Sequence, residues 1–280
     1  MPHRGARPIP IASLDDILGP RGAAFPLVLA KDCSTKLALK IESGEILDPD
    51  LPVRIDAALT RLRVRANDCA VIADFCDADF TNLSVVAEIA KGALEDLQEA
   101  GDWKHVVFQG TNYPDKNPAS PDNNAFVPRN EWLAWRAATE FDRDAATHLI
   151  YGDYAADCSK FEFKTGGGGR AIRHYRYATE DKWLVVRGAA DGRDTDVMAD
   201  VCKQIVGSGY FSGQVFSSAD KYIYQTSKGW DGPGNAMIWR AVNTTHHITR
   251  VVRDIGGVRG MKFVDQEVST PAQQLSLLTD

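Results

Sequence analysis

The feature that most constrains this chain is an alternation of short apolar runs with longer amphipathic stretches between positions 69 and 151. Cys69 to Phe75 is a compact apolar run that includes Asp74. Asn82 then opens a stretch with Val86, Ile89, Ala90, Ala93, Leu94 and Leu97 at helical spacing, and Gly101 stands where a C-cap glycine belongs. His105 to Gly110 reads as the next strand, Glu131 to Phe141 as the next helix, and Thr147 to Tyr151 as a third strand. Strand, helix, strand, helix, strand implies parallel strands joined by helical crossovers. The strands ending at Asp74, Gly110 and Tyr151 are therefore expected to be parallel neighbours.

The remainder fits the same α/β class. Pro8 to Ile11 and Leu37 to Ile41 read as earlier strands, with a helix marked by Ile55, Ala58, Leu59 and Leu62 before Cys69. Ile172 to Tyr177 and Trp183 to Arg187 flank the turn-like Thr179-Glu180-Asp181-Lys182. Thr195 is expected to cap a helix, Tyr222 to Gln225 to form a last strand, and Thr245 to cap a final helix closed by Gly256. The polar segment Thr111 to Asn124 and the glycines Gly166 to Gly169 read as loops, the latter lacking the Lys-Ser/Thr of a phosphate-binding P-loop. A chain of 280 residues suits one (β/α)₈ barrel, expected over 1–260 with a loosely attached tail over 261–280.

Composition removes several function classes. The net charge of -6 argues against a general nucleic-acid coat, which needs a basic surface to neutralise phosphates. Five cysteines with no CxxC spacing argue against a disulfide framework and a structural zinc site. The apolar run Ala23 to Ala30 is broken by Pro26 and is far short of the roughly 20 residues a membrane span needs. No membrane segment and a cytoplasmic location are expected; no metal is called for, and the residues name no cofactor.

From about His105 onward, GTNYP, PRNEWLAW, YGDY, YRYATEDKWLVVRG, YFSGQVFSSADKYI and GNAMIWRAVNTTHHI stand in an order that resembles the beta protein family of phages and bacteria. Ala219 stands where the family usually carries glycine, and the first hundred residues match only in pattern. The resemblance implies a TIM-barrel-like fold and brings no established activity. Family members are usually longer, so the barrel is expected to be open or irregular at Pro8 to Ile11. That edge would be covered by the chain's own tail, a second copy or a separately encoded partner; the alternative is that all eight strands are present.

Working residues of a (β/α)₈ barrel sit at the C-terminal ends of its strands. Asp74, Gln109, Asp153 and Arg187 fall there, with Asp220, His246 and His247 supplied by later segments. Asp153 and Asp220 are the candidates for acid/base or cation work, against the plainer role of turn or cap residue. His246 and His247 are placed at a helix N-terminus, which favours anions. The pair lacks the HExxH spacing of a zinc helix, and a structural histidine bonded to backbone is the plainer reading. Gly232 and Gly234 belong to a glycine-rich loop that would hold phosphate, with Arg187 and Arg240 supplying charge. Arg129, Glu131, Trp132 and Trp135 read as a structural anchor, an ion pair with two indoles on one helix face. Two functions follow as expectations: a hydrolase or phosphodiesterase acting on a phosphorylated or nucleotide-like ligand, or a non-catalytic recognition barrel of a phage or mobile element that binds a host or phage protein.

Overall fold

The computed structural model describes residues 9–30, 33–76, 78–140, 149–155 and 173–263. They belong to two compact units, Met1–Tyr113 with Arg129–Phe161, and Pro114–Pro128 with Glu162–Asp280.

The first unit carries strands β1 (Ile11–Ser13), β2 (Leu37–Glu42), β3 (Cys69–Asp74), β4 (His105–Gly110) and β6 (Leu149–Asp153). They form one sheet in the order β1-β2-β3-β4-β6, and every adjacent pair is parallel. The expected parallel run from Asp74 through Gly110 to Tyr151 is therefore present. Strand β3 is buried at all of its positions, as suits an apolar strand covered on both faces. Its helical neighbours are α1 (Leu14–Leu18), α2 (Ser43–Ile46), α3 (Leu51–Leu62), α4 (Leu83–Glu99) and α5 (Asn130–Glu140). Asn82 caps α4 by accepting from the Val85 N–H, and Val86, Ala90, Ala93, Leu94 and Leu97 form its buried stripe. On α5, Trp132 and Trp135 stack at 5.2 Å, and both meet the Tyr151 ring edge-on. The anchor expected of these indoles is thus in place against β6.

The second unit carries β5 (Asn123–Pro128), β7 (His174–Ala178) and β8 (Lys182–Arg187), with helices α6 (Asp194–Gly207), α7 (Ser218–Lys228) and α8 (Ala236–Val258). Its sheet has the order β5-β8-β7 and is antiparallel throughout. Only Thr179, Glu180 and Asp181 separate β7 from β8, too short for the crossover that parallel strands require. Thr179 closes the hairpin, its N–H and hydroxyl both donating to the Lys182 carbonyl. One face of this sheet contributes Tyr175, Tyr177, Leu184 and Val186 to a core with Met198, Val201, Ile205, Ile223 and Trp239.

The described strands form no closed eight-stranded barrel; the antiparallel sheet departs from that expectation. Four local readings are corrected as well. Strand β5 lies at the end of the segment read as a polar loop, held by its register with β8. Tyr222 to Gln225 is helical within α7, because Ser217 caps that helix and Ala219, Ile223 and Thr226 repeat on its buried side. Helix α6 begins at Asp194, with Arg193 rather than Thr195 at the cap position. Helix α8 begins at Ala236, where the Asn235 side chain accepts from the Met237 and Ile238 N–H groups. Thr245, His246 and His247 are therefore mid-helix and offer no free helix N-terminus. The readings for Gly166 to Gly169, and for the tail beyond Phe263, lie outside the described residues.

Candidate functional site

In the first unit, the carboxyl ends of β2, β3, β4 and β6 carry most of the polar chemistry. Asp74 is buried and gathers three donors: Lys40 Nζ at 2.7 Å, the Tyr154 hydroxyl at 2.9 Å and the Cys76 N–H at 3.1 Å. The bond to Asp74 raises the Lys40 pKa, and burial followed by the Asp74 charge raises that of Tyr154. Gln109 stands beside Asp74 in register on β4, and Asp153 pairs in register with Gly110. The Asp153 carboxylate accepts from the Tyr151 hydroxyl at 2.8 Å and the Ala155 N–H at 2.9 Å. Glu131 accepts from the Asn112 N–H at 3.2 Å, which ties α5 to the end of β4. Burial pushes its carboxyl up to about 7, with Arg129 pulling the other way and Asp153 adding to the rise.

In the second unit, Asp220 and His246 do come together. Asp220 Oδ2 lies 3.0 Å from His246 Nδ1 and accepts from the Ser217 hydroxyl at 2.5 Å. Its Oδ1 accepts from the Tyr177 hydroxyl at 2.6 Å, and that hydroxyl accepts from the Ser212 N–H at 2.9 Å. His246 Nε2 lies 2.8 Å from the Ala178 carbonyl, and its ring stacks on Tyr177 at 3.9 Å. Both carboxylate and imidazole have side-chain exposures of 0%. This network joins β7, α7 and α8 through polar groups sealed from solvent. His247 is buried and stacks on Trp183 at 4.9 Å, on the neighbouring strand.

The glycine-rich loop connects α7 to α8, so it is not a strand-to-helix loop. Two of its amides are already engaged: the Gly232 N–H donates to Asp231 Oδ1 and the Gly234 N–H to the Tyr222 hydroxyl on α7. Arg240 is exposed on α8.

Arg187, by contrast, lines a cleft of about 530 Å³ with Asn117, Pro121, Arg173, His174, Gly188, Ala189, Ala190 and Asp194. Asp220 and His246 are not among the residues lining it. Arg173 uses its full guanidinium on the loop after β8, reaching Asp194 Oδ1 at 2.8 Å and the carbonyls of Ala189, Ala190 and Gly192. Arg187 has one protein partner among the described residues, the Ala119 carbonyl at 3.0 Å. A guanidinium has five N–H donors, so most of those on Arg187 are left for a ligand. Its register partners are His174 on β7 and Asn123 on β5. Sequence reasoning named Arg187 but missed Arg173, His174 and Asn117. The partnering of β5 and β7 with β8 assembles them, and no sequence period announces that pairing.

The described residues contain no group of three or more His, Cys, Asp or Glu side chains able to hold a metal ion. Among them no helix is long and apolar enough to cross a membrane. The fold defines an α/β protein with a parallel sheet and a separate antiparallel sheet, the latter bearing an arginine-lined cleft. The chain belongs to the Beta protein family, whose model matches residues 1–253. No curated protein and no solved structure matches it.

Proposed function

We propose that the chain recognises a small phosphorylated or nucleotide-like anion in the cleft of the second unit, with Arg187 as the contacting cation. The observation that carries this reading is the contrast between the two arginines. Arg173 is consumed by the loop it braces, while Arg187 presents donors to a cleft of about 530 Å³. That volume is within the range of small-molecule sites, and a guanidinium matches oxyanions bidentately. Asp220 and His246, being sealed and mutually bonded, act here as a structural pin. The test is equilibrium binding of inorganic phosphate and a nucleotide panel to the full chain and to Arg187→Gln. Binding to the wild type that weakens at least tenfold in the variant supports the reading; equal binding to both overturns it.

A hydrolytic activity is the second reading, and the Lys40–Asp74–Tyr154 group favours it. Ligands of α/β proteins lie outside the carboxyl ends of parallel strands, where this group and Asp153 stand. The order β1-β2-β3-β4-β6, with each strand beside its successor in that sheet, is also how a (β/α)₈ barrel begins, and we take the first unit as an arc of one. A turnover screen against phosphodiesters, repeated on Lys40→Met and Asp153→Asn, tests this reading. Turnover that survives both substitutions, or its absence in the wild type, rejects it.

A further inference from the structure

We infer that the outward face of α8 is an intramolecular interface, and that residues 264–280 of the same chain dock along it, running antiparallel to the helix. Helix α8 is apolar on two opposite sides. On one side Trp239, Val242 and His246 are buried in the second unit. On the other, Met237, Ala241, Thr244, Ile248, Val252 and Ile255 follow one another at steps of four and three, which holds them in one stripe. None of the six is charged, and Met237, Ile248 and Val252 are 74%, 55% and 51% exposed. A helix that is apolar all round is ordinarily covered all round.

Where the chain goes next names the occupant. After Val258 it turns through Gly260, which has a φ of 70°, and the Met261 N–H donates to the Gly256 carbonyl at 2.8 Å. The Phe263 ring then lies against Gly256, in the space a Cβ there would need, with the Arg253 guanidinium 5.9 Å from its centre. By Phe263 the chain has therefore doubled back along α8 by about one turn. The stripe from Ile255 to Met237 is about 27 Å long, and residues 264–280 reach about 26 Å even if wholly helical. Their sequence suits the surface. Thr270-Pro271-Ala272-Gln273 has the pattern of a capping box with proline at the first helical position, and Pro271, Leu275 and Leu278 follow at i, i+4 and i+7.

Charge favours this segment over a second copy. Residues 264–280 carry Asp265, Glu267 and Asp280 and no Lys, Arg or His. The exposed charges on α8 and the turn after it are Arg240, Arg259 and Lys262, with Arg253 partly exposed. The acid on α8, Asp254, is buried and held by Arg250 Nε at 2.7 Å. Beside it, α7 adds Lys221 and Lys228, and its Asp220 is buried. Asp231 stands in the loop before α8, at the end far from Lys262. Glu180 and Asp181 follow Ala178, whose carbonyl faces His246 on the buried side. The segment that continues from Phe263 is thus opposite in sign to the helix it adjoins, whereas a second copy would set arginines against arginines.

The experiment places the photo-crosslinking residue p-benzoylphenylalanine at Ile248 of the full chain, in a mixture of unlabelled and ¹⁵N-labelled protein. Mass spectrometry identifies the peptide it captures. The expected product joins position 248 to residues 264–280 of the same chain, and Leu275→Asp combined with Leu278→Asp lowers its yield at least fivefold. A product that joins labelled to unlabelled chains assigns the face to a second copy and overturns the inference. So does a probe that captures nothing from 264–280, or a yield indifferent to the two substitutions. Hydrogen exchange on the unaltered chain keeps the test open should a variant misfold. The amides of 272–279 are expected to exchange at least tenfold more slowly than in a free peptide of that sequence, and exchange at the peptide's rate overturns the docking.

Discussion

Removing the Asp220 carboxylate should cost the second unit much of its stability, and replacing it with an amide should not. In the wild type, Asp220 serves the Tyr177 hydroxyl at 2.6 Å, the Ser217 hydroxyl at 2.5 Å and His246 Nδ1 at 3.0 Å, with both members of the Asp–His pair at 0% exposure. Asp220→Ala strands all three groups where water does not reach. Each buried polar group left without its partner costs about 1–3 kcal/mol, so about 3–5 kcal/mol is expected for the three together. For a chain of this size that corresponds to roughly 6–20 °C in Tm. Asp220→Asn behaves differently, for a reason visible in the imidazole. The wild-type ring has an acceptor beside each nitrogen, Asp220 Oδ2 at Nδ1 and the Ala178 carbonyl at Nε2. An amide NH₂ in place of Oδ2 can donate to Nδ1 and to the Ser217 hydroxyl oxygen, leaving the Nε2 proton for the Ala178 carbonyl, so that the Ser217 hydroxyl proton alone loses its acceptor. The loss should stay below about 1.5 kcal/mol, in keeping with the net worth of one hydrogen bond. Thermal unfolding followed by circular dichroism measures both. Asp220→Ala melting within about 2 °C of wild type, or Asp220→Asn melting as low as Asp220→Ala, would refute the reasoning.

Two further outcomes concern other parts of the chain. Burial raises Glu131 from its ordinary 4.5 to about 7. The folded chain therefore holds this proton after the unfolded chain has lost it, and the contribution is full below pH 4.5 and is lost as pH rises through about 7. Urea titrations across that window should show the stability of wild type relative to Glu131→Gln falling by roughly 2–3 kcal/mol, and a pH-independent difference contradicts the burial argument. Gly188 lines the cleft, and a Cβ there would lie 2.4 Å from Val197 Cγ1 and 3.0 Å from Val201 Cγ2. Gly188→Ala should therefore destabilise by about 1–3 kcal/mol and weaken anion binding, which a melt and a titration of the same sample detect together.

The parts of the fold legible in the sequence are those whose periodicity is local. Val86, Ala90, Ala93 and Leu97 repeat at helical spacing behind a capping Asn82, and the continuous apolar run of β3 reads as a strand buried on both faces. The errors fall where long-range partners override local signals. Tyr222 to Gln225 is rich in β-forming side chains, yet Ile223 and Thr226 turn inward only on a helix. Thr245 has the chemistry of a cap, but Trp239 and Val242 continue the buried stripe of α8 back to the true cap at Asn235. The candidate site follows the same rule. Arg187 stood out as a cation at a strand end, whereas its difference from Arg173 depends on bonds to the loop at 189–192, which no spacing encodes.

The central claim, that Arg187 presents an anion site in the cleft, is tested most directly by diffraction from crystals of the full chain soaked in perrhenate, a monoanionic oxyanion that scatters anomalously. The account predicts an anomalous peak inside the cleft, within hydrogen-bonding distance of the Arg187 guanidinium, and none held by the Arg173 guanidinium, which Asp194 and the carbonyls of Ala189, Ala190 and Gly192 engage. A cleft without a peak, in crystals that show perrhenate bound elsewhere on the chain, would contradict it.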